Sequence, residues 1–140
     1  MIVMKTLVIY YSYTGKTKQI ANDIAKKEEA DLIEVKDSKP HSKASTYIAG
    51  SFKAMRKKEA KLQEYECDFS SYDKIIIAMP LWAGFPAPPM NYIIKSLPKG
   101  KEVVAIITSG SGSSSTSAED TKRRITDKGC KVVKYLDIKT

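Results

Sequence analysis

The run Lys74-Ile75-Ile76-Ile77-Ala78-Met79 is apolar at every position after its lysine, so a strand built from it has no side to give to water. A half-exposed strand alternates apolar with polar; an unbroken apolar run is the pattern of a strand covered on both faces, as in parallel sheets. Thr6–Tyr11 and Glu102–Thr108 read the same way, and Asp31–Val35 and Lys131–Leu136 are weaker strands of the same series. Helical patterns separate them: Thr17–Lys27, with Ile20, Ala21, Ile24 and Ala25 on one face, part of Ser45–Leu62, Pro88–Ser96, and Ser117–Lys128. Ser117 with Asp120 resembles a capping box, Lys128-Gly129 a helix end, and Lys99-Gly100 a turn. Strands alternating with helices predict a three-layer α/β domain around a mostly parallel sheet.

The chain's 140 residues fit a single domain, 1–140, with a real core. No apolar run approaches membrane-spanning length, and the N-terminus lacks the layout of a secretory signal. Cys67 and Cys130 form no C-x-x-C, and with His41 as the only histidine they cannot build a typical zinc site. Reduced thiols and a cytoplasmic location are expected.

Ser12-Tyr13-Thr14-Gly15-Lys16-Thr17 lies between the first strand and the first helix. The first backbone N–H groups of a helix have no intrahelical partner, and the helix dipole favours an anion there. Ser12, Thr14 and Thr17 add hydroxyls, and Gly15 allows close approach of backbone to ligand. A nucleotide P-loop needs a glycine five residues before Gly15, where Tyr10 stands. The acidic residues of a response-regulator receiver and the Cys-x5-Arg loop of a phosphatase are also absent. A plain turn and helix cap is the alternative reading of this stretch taken alone.

In a doubly wound sheet, ligands sit outside the carboxyl ends of the strands, where strand order reverses. The loops after the first, third and fourth strands converge there. The loop after the third, Pro80-Leu81-Trp82-Ala83-Gly84-Phe85-Pro86-Ala87-Pro88-Pro89-Met90, is apolar and aromatic and holds the only tryptophan. The loop after the fourth, Ser109-Gly110-Ser111-Gly112-Ser113-Ser114-Ser115-Thr116, is rich in N–H and hydroxyl donors. A phosphate cradle, a flat wall and a polar clamp suit a phosphorylated ligand with a large planar ring.

These three segments resemble the flavodoxin family. Ser12–Thr17 matches its S/T-x-T-G-x-T phosphate loop. Tyr72-Asp73 and Pro80–Gly84 match its first flavin loop, and Thr108-Ser109-Gly110-Ser111-Gly112 occupies the place of its second. The resemblance spans residues 5 to about 136. It implies a flavodoxin-like five-stranded parallel sheet of order 2-1-3-4-5 and non-covalent binding of FMN; flavodoxin itself is the standard example of this switch-point site. It further implies that Ser12, Thr14, Gly15, Lys16 and Thr17 take the FMN phosphate. Pro80, Leu81, Trp82, Ala83 and Gly84 would line the isoalloxazine, Trp82 as its stacking partner or as a packing aromatic. Ser109, Gly110 and Gly112 would supply amides to the pyrimidine edge. The Ala83-Gly84 peptide is the one expected to turn its carbonyl toward the flavin's N5, since Gly84 tolerates positive φ. No residue stands out as a proton-transfer catalyst, and His41 is unassigned.

Three features depart from the family, and one long connection breaks the regular alternation. Electron-shuttling flavodoxins are usually acidic, whereas this chain carries a net charge of +8, with 24 Lys and Arg against 16 Asp and Glu. The run Lys53, Arg56, Lys57, Lys58, Lys61 is either a solvated helix face or a docking surface for an acidic partner or anionic substrate; nucleic acid is the weaker alternative. The second flavin loop has no aromatic residue, which leaves one ring face open unless Tyr47 or Phe52 substitutes. The long stretch from Lys36 to Asp73 predicts an extra ordered segment. No helix follows the fifth strand, so apolar residues of the third to fifth strands are expected to face water unless a second copy or Pro40–Leu62 covers them. The leading expectation is a cytoplasmic FMN-binding electron-transfer protein, dimeric, serving a redox partner protein or a small-molecule acceptor. An FMN-dependent NAD(P)H oxidoreductase of quinone-reductase type is the second, and a flavin-free binding module the third.

Overall fold

The computed structural model describes residues 5–35 and 69–140. The expected helix within Ser45–Leu62, the extra segment after the second strand, the basic run Lys53–Lys61, and His41, Tyr47, Phe52 and Cys67 lie outside the described residues.

The described elements are β1 (Thr6–Tyr10), α1 (Lys16–Glu28), β2 (Asp31–Glu34), a short 3-10 turn (Phe69–Ser71), β3 (Lys74–Trp82), β4 (Phe85–Pro86), α2 (Pro89–Ser96), β5 (Glu102–Ser109), α3 (Ala118–Asp127) and β6 (Lys131–Lys139). The main sheet runs β2-β1-β3-β5-β6, all parallel. This is the expected order 2-1-3-4-5, because β4 is a two-residue strand that pairs antiparallel with the end of β3 and adds nothing to the main path.

Strand alternation divides the core into two layers. Leu7, Ile9, Tyr11, Ile75, Ile77, Met79, Val103 and Ile107 face one side, where Met90, Ile93 and Ile94 of α2 and Ile125 of α3 cover them. Val8, Tyr10, Ile76, Ala78, Val104 and Ile106 face the other, against Ala21 and Ala25 of α1, with Ile20 and Ile24 at the rim. The apolar face of Thr17–Lys27 is thus the buried face. The apolar residues of β3 and β5 do not face water: Ile76, Val104 and Ile106 are buried within this second layer. The exposed apolar surface of the last strand centres on Val133, 41% exposed, with Leu136 and Ile138 only partly so.

Val133 is exposed because β6 carries a bulge. Val103 pairs with Val132, but Val104 pairs with Lys134, so Val133 has no opposite residue. The extra residue resets the alternation, and Val132 and Tyr135, three apart, both pack on the α2–α3 side.

Two strands outrun their expected ends. β3 continues past Met79 through Pro80, which pairs in register with Thr108 of β5. Pairing of β3 with β1 stops at Ala78, so the missing N–H of Pro80 interrupts no ladder on that edge. β6 continues past Leu136 to Lys139, pairing Ser109 with Lys139.

Candidate functional site

Three loops meet at the carboxyl ends of β1, β3 and β5. The first begins with Ser12, whose Oγ accepts the Gly15 N–H at 2.9 Å and closes a tight turn. Gly15 stands at the N-cap of α1 with φ +98, a conformation that favours glycine, and its Cα faces open space. No side chain caps the helix, and its first turn holds no acidic residue; Lys16 and Lys18 stand there instead. A cation at a helix N-terminus opposes the dipole, so this end of α1 is an electropositive point, with no acidic residue in its first turn. Thr17 turns inward, and its Oγ1 lies 2.8 Å from Thr108 Oγ1 in a buried contact.

The second loop is the tip of the β3–β4 hairpin. Leu81 pairs with Pro86 and Trp82 with Phe85, leaving Ala83 and Gly84 as a two-residue turn. Both have positive φ, +51 and +89, the signature of a type I′ turn. The Trp82 ring meets Tyr11 edge-on at 5.8 Å and Tyr13 edge-on at 5.7 Å. Quadrupole attraction favours such T-shaped contacts. They hold the indole from two sides.

In the third loop, Ser109 Oγ accepts the Gly112 N–H at 2.9 Å, and Ser109 C=O accepts the Thr140 N–H at 2.8 Å. Gly112 has φ +76, and an added Cβ would lie 3.0 Å from Lys139 Cβ. The far end of β6 is therefore packed on this loop. Ser117 does not form the expected capping box with Asp120: no side chain caps α3. Its Oγ instead donates to Gly84 C=O at 2.6 Å, a partner that local pattern cannot reveal.

The loops enclose a cleft of about 240 Å³. Thr14, Lys16 and Thr17 form its first wall, with Tyr13 at the rim. Pro80, Leu81 and Trp82 form the second, and Thr108, Ser109, Gly110 and Thr140 the third. Among the described residues that line it, Lys16 is the one with a charged side chain. No group of three or more His, Cys, Asp or Glu that could hold a metal occurs among the described residues.

Two tyrosines outside this wall have perturbed acidity. Burial pushes the Tyr10 phenol up to about 12, helped by the charge of Glu34 and by a hydrogen bond to its carboxylate. Burial also raises Tyr135; Asp137 adds to the rise, while its bond to Ser114 Oγ at 2.6 Å and the nearby Lys122 ammonium oppose it. Both phenols stay neutral at ordinary pH, so neither is a ready base.

The flavodoxin family model matches residues 5–139. The chain belongs to the flavodoxin family. Among solved structures it is similar to a flavoprotein in complex with FMN from Lactobacillus acidophilus, at 26% identity and TM-score 0.65, covering 95% of this chain and 92% of that one. It also resembles a Streptococcus pneumoniae flavodoxin at 16% identity and TM-score 0.61, covering 96% and 86% of the two chains. An NADH:FMN oxidoreductase in its apo form aligns at 14% identity and TM-score 0.65, covering 94% and 75%. The last two likenesses speak for the fold alone. No curated protein sequence matches it.

In this chain the expected site residues divide into two groups. Thr14, Lys16, Thr17, Pro80, Leu81, Trp82, Ser109 and Gly110 line the cleft. Ser12, Gly15, Ala83, Gly84 and Gly112 do not; they set the shape of the loops that do. Tyr72-Asp73 is at the opposite end of the sheet, where Tyr72 OH donates to Asp31 at 2.6 Å and Asp73 accepts the Lys5 N–H at 3.0 Å. Three cleft residues were not among those expected. Tyr13 and Thr108 lie inside the matched motifs as unassigned positions. Thr140 carries no sequence signal, because only the extension of β6 brings it to the loop.

Proposed function

We propose that this protein binds FMN non-covalently in the cleft and serves in electron transfer. The single observation that carries the reading is one cleft that joins an uncapped, electropositive helix start to an indole wall and a loop of amides and hydroxyls. The phosphate dianion fits the first wall: Lys16 supplies charge, the first-turn amides of α1 supply donors, and Thr14 and Thr17 supply hydroxyls. The isoalloxazine fits against Trp82 and Leu81, and the polar pyrimidine edge against Ser109 and Gly110. FMN, when bound, supplies one- or two-electron chemistry at its ring; the chain's residues bind and orient it and set its surroundings.

The walls formed by the described residues enclose less than the usual ligand pocket of about 300–1,000 Å³ and would leave part of a bound ring uncovered by them. An exposed ring edge suits electron exchange with a redox partner protein or a small-molecule acceptor. It also favours a second reading, an FMN-dependent NAD(P)H oxidoreductase whose substrate lies on the open face, because no aromatic residue stands in the Ser109–Thr116 loop opposite Trp82. Among the described residues no helix is long and apolar enough to cross a membrane. The proposal includes a cytoplasmic location.

Titration of the apo protein into FMN tests the reading. Quenching of flavin fluorescence with one-to-one stoichiometry is expected, and Lys16→Ala should weaken binding about tenfold, the loss of one charge-assisted contact. Absence of quenching by the wild-type chain would remove FMN from the proposal. Steady NAD(P)H consumption with a quinone acceptor would move it to the oxidoreductase reading.

A further inference from the structure

We propose that Ser117 is a positioning residue of the cleft: its hydroxyl anchors the tip of the β3–β4 hairpin and thereby holds Trp82 in the cleft wall. The residue occupies the N-cap of α3 with Asp120 three positions on, where a serine ordinarily turns its oxygen back to the helix. This one leaves α3 uncapped by any side chain and reaches Gly84 C=O at 2.6 Å, 33 residues away in sequence. A cap stabilises a helix, so giving it up marks the long-range bond as the stronger demand on this hydroxyl.

The anchor has a firm base. Ser117 is 1% exposed; its N–H donates to Ser114 C=O at 3.0 Å and its C=O accepts the Thr121 N–H at 2.9 Å. Ser114 is itself buried and shares a 2.6 Å hydrogen bond with Tyr135 OH on β6. A line of bonds thus runs from β6 through Ser114 and Ser117 to the hairpin tip. The tip is also packed from this side: an added Gly84 Cβ would stand 3.7 Å from Thr116. Beyond the tip the hairpin is two residue pairs deep, Trp82 with Phe85 and Leu81 with Pro86, and the Ala87 N–H donating to Pro80 C=O at 2.9 Å closes its base, so the tip projects past the main sheet. Without the anchor, Trp82 keeps its packing at the edge of the core and its edge contacts with Tyr11 and Tyr13, the latter 57% exposed.

The effect on cofactor affinity rests on the FMN reading, but the effect on Trp82 does not. Trp82 is the only tryptophan of the chain, so the emission of the apo protein reports on the hairpin alone. Ser117→Ala is expected to red-shift that emission and raise its quenching by acrylamide while far-ultraviolet circular dichroism is kept. FMN binding should weaken about tenfold, the scale of one partly buried carbonyl left without its donor. Ser117→Thr, which keeps the hydroxyl, should restore both. If Ser117→Ala does not fold, Ser117→Cys fills nearly the same volume with a poor donor and gives the same readouts. Lower stability with unchanged Trp82 emission and unchanged FMN affinity would overturn the proposal. Failure of the wild-type protein to bind FMN would overturn the cofactor reading, and the emission of the apo variants would still decide the role of Ser117.

Discussion

Thr17 Oγ1 and Thr108 Oγ1 meet at 2.8 Å, each residue about 3% exposed, and this contact joins the first turn of α1 to the end of β5. Two of the three loops of the cleft are therefore tied beneath its floor. A lone buried hydroxyl costs about 1–3 kcal/mol, whereas removing both partners of a bond is close to neutral. Thr17→Val and Thr108→Val should each destabilise by about 1–2 kcal/mol in urea unfolding, and the double variant by less than their sum. Additive losses would show that the two hydroxyls do not act as a pair.

Ala83 has φ +51 in a turn whose preferred residues are Asn and Gly. The left-handed region costs a Cβ-bearing residue about 1–2 kcal/mol. Ala83→Asn and Ala83→Gly should therefore raise the melting temperature, with gains of up to about 1 kcal/mol, asparagine doing better because glycine also loosens the unfolded chain. A fall in melting temperature for both would mean that the Ala83 methyl makes a contact worth more than the strain.

Thr121 Oγ1 on α3 is buried without a hydrogen-bond partner among the described residues. Thr121→Val keeps the shape and removes the stranded hydroxyl. Chemical denaturation should show a gain of about 1 kcal/mol or slightly more. A loss would indicate that the oxygen is solvated in solution.

Tyr10 links stability to alkaline pH. Its phenol is raised from 10.0 to about 12 in the folded protein, first by burial and then by Glu34. The folded state holds this proton more tightly than the unfolded chain, so the contribution is fully present below pH 10 and is lost as pH rises through about 12. Tyr135 shifts in the same direction and adds to the loss. Unfolding free energy should decline with pH over this window, and Tyr10→Phe should flatten the decline. Tyrosinate absorbance in the folded protein checks the shift directly; titration of Tyr10 at its ordinary pKa would contradict it.

Much of the architecture was legible because it rests on contiguous signals. The apolar runs around Ile76 and Ile106 could only be buried strands, and Ile20, Ala21, Ile24 and Ala25 do face the sheet. The cleft was legible for the same reason, since its motifs follow their strands directly. What escaped depended on distant partners or on weak local chemistry. Ser117 looked like a cap because Gly84 is invisible from its neighbours in sequence. Ala-Gly is a poor hairpin signal beside Asn-Gly, so the turn at Ala83 passed for open loop. Pro80 argued for the end of β3, although an edge without a ladder tolerates it. Asp137-Ile138-Lys139 carries too little apolar character to extend β6, and with that extension went Thr140.

The bulge at Val133 has a consequence for how copies of this chain can meet. β6 is the outer strand on its side of the described sheet, and its unpaired backbone would be a template for another strand. Lys131, Lys134 and Lys139 line that strand, and the bulge breaks its regular spacing. Both are devices that keep two sheets from zipping into one. At this edge, a second copy that approached would meet the face around Val133 more readily than it would lengthen the sheet along β6.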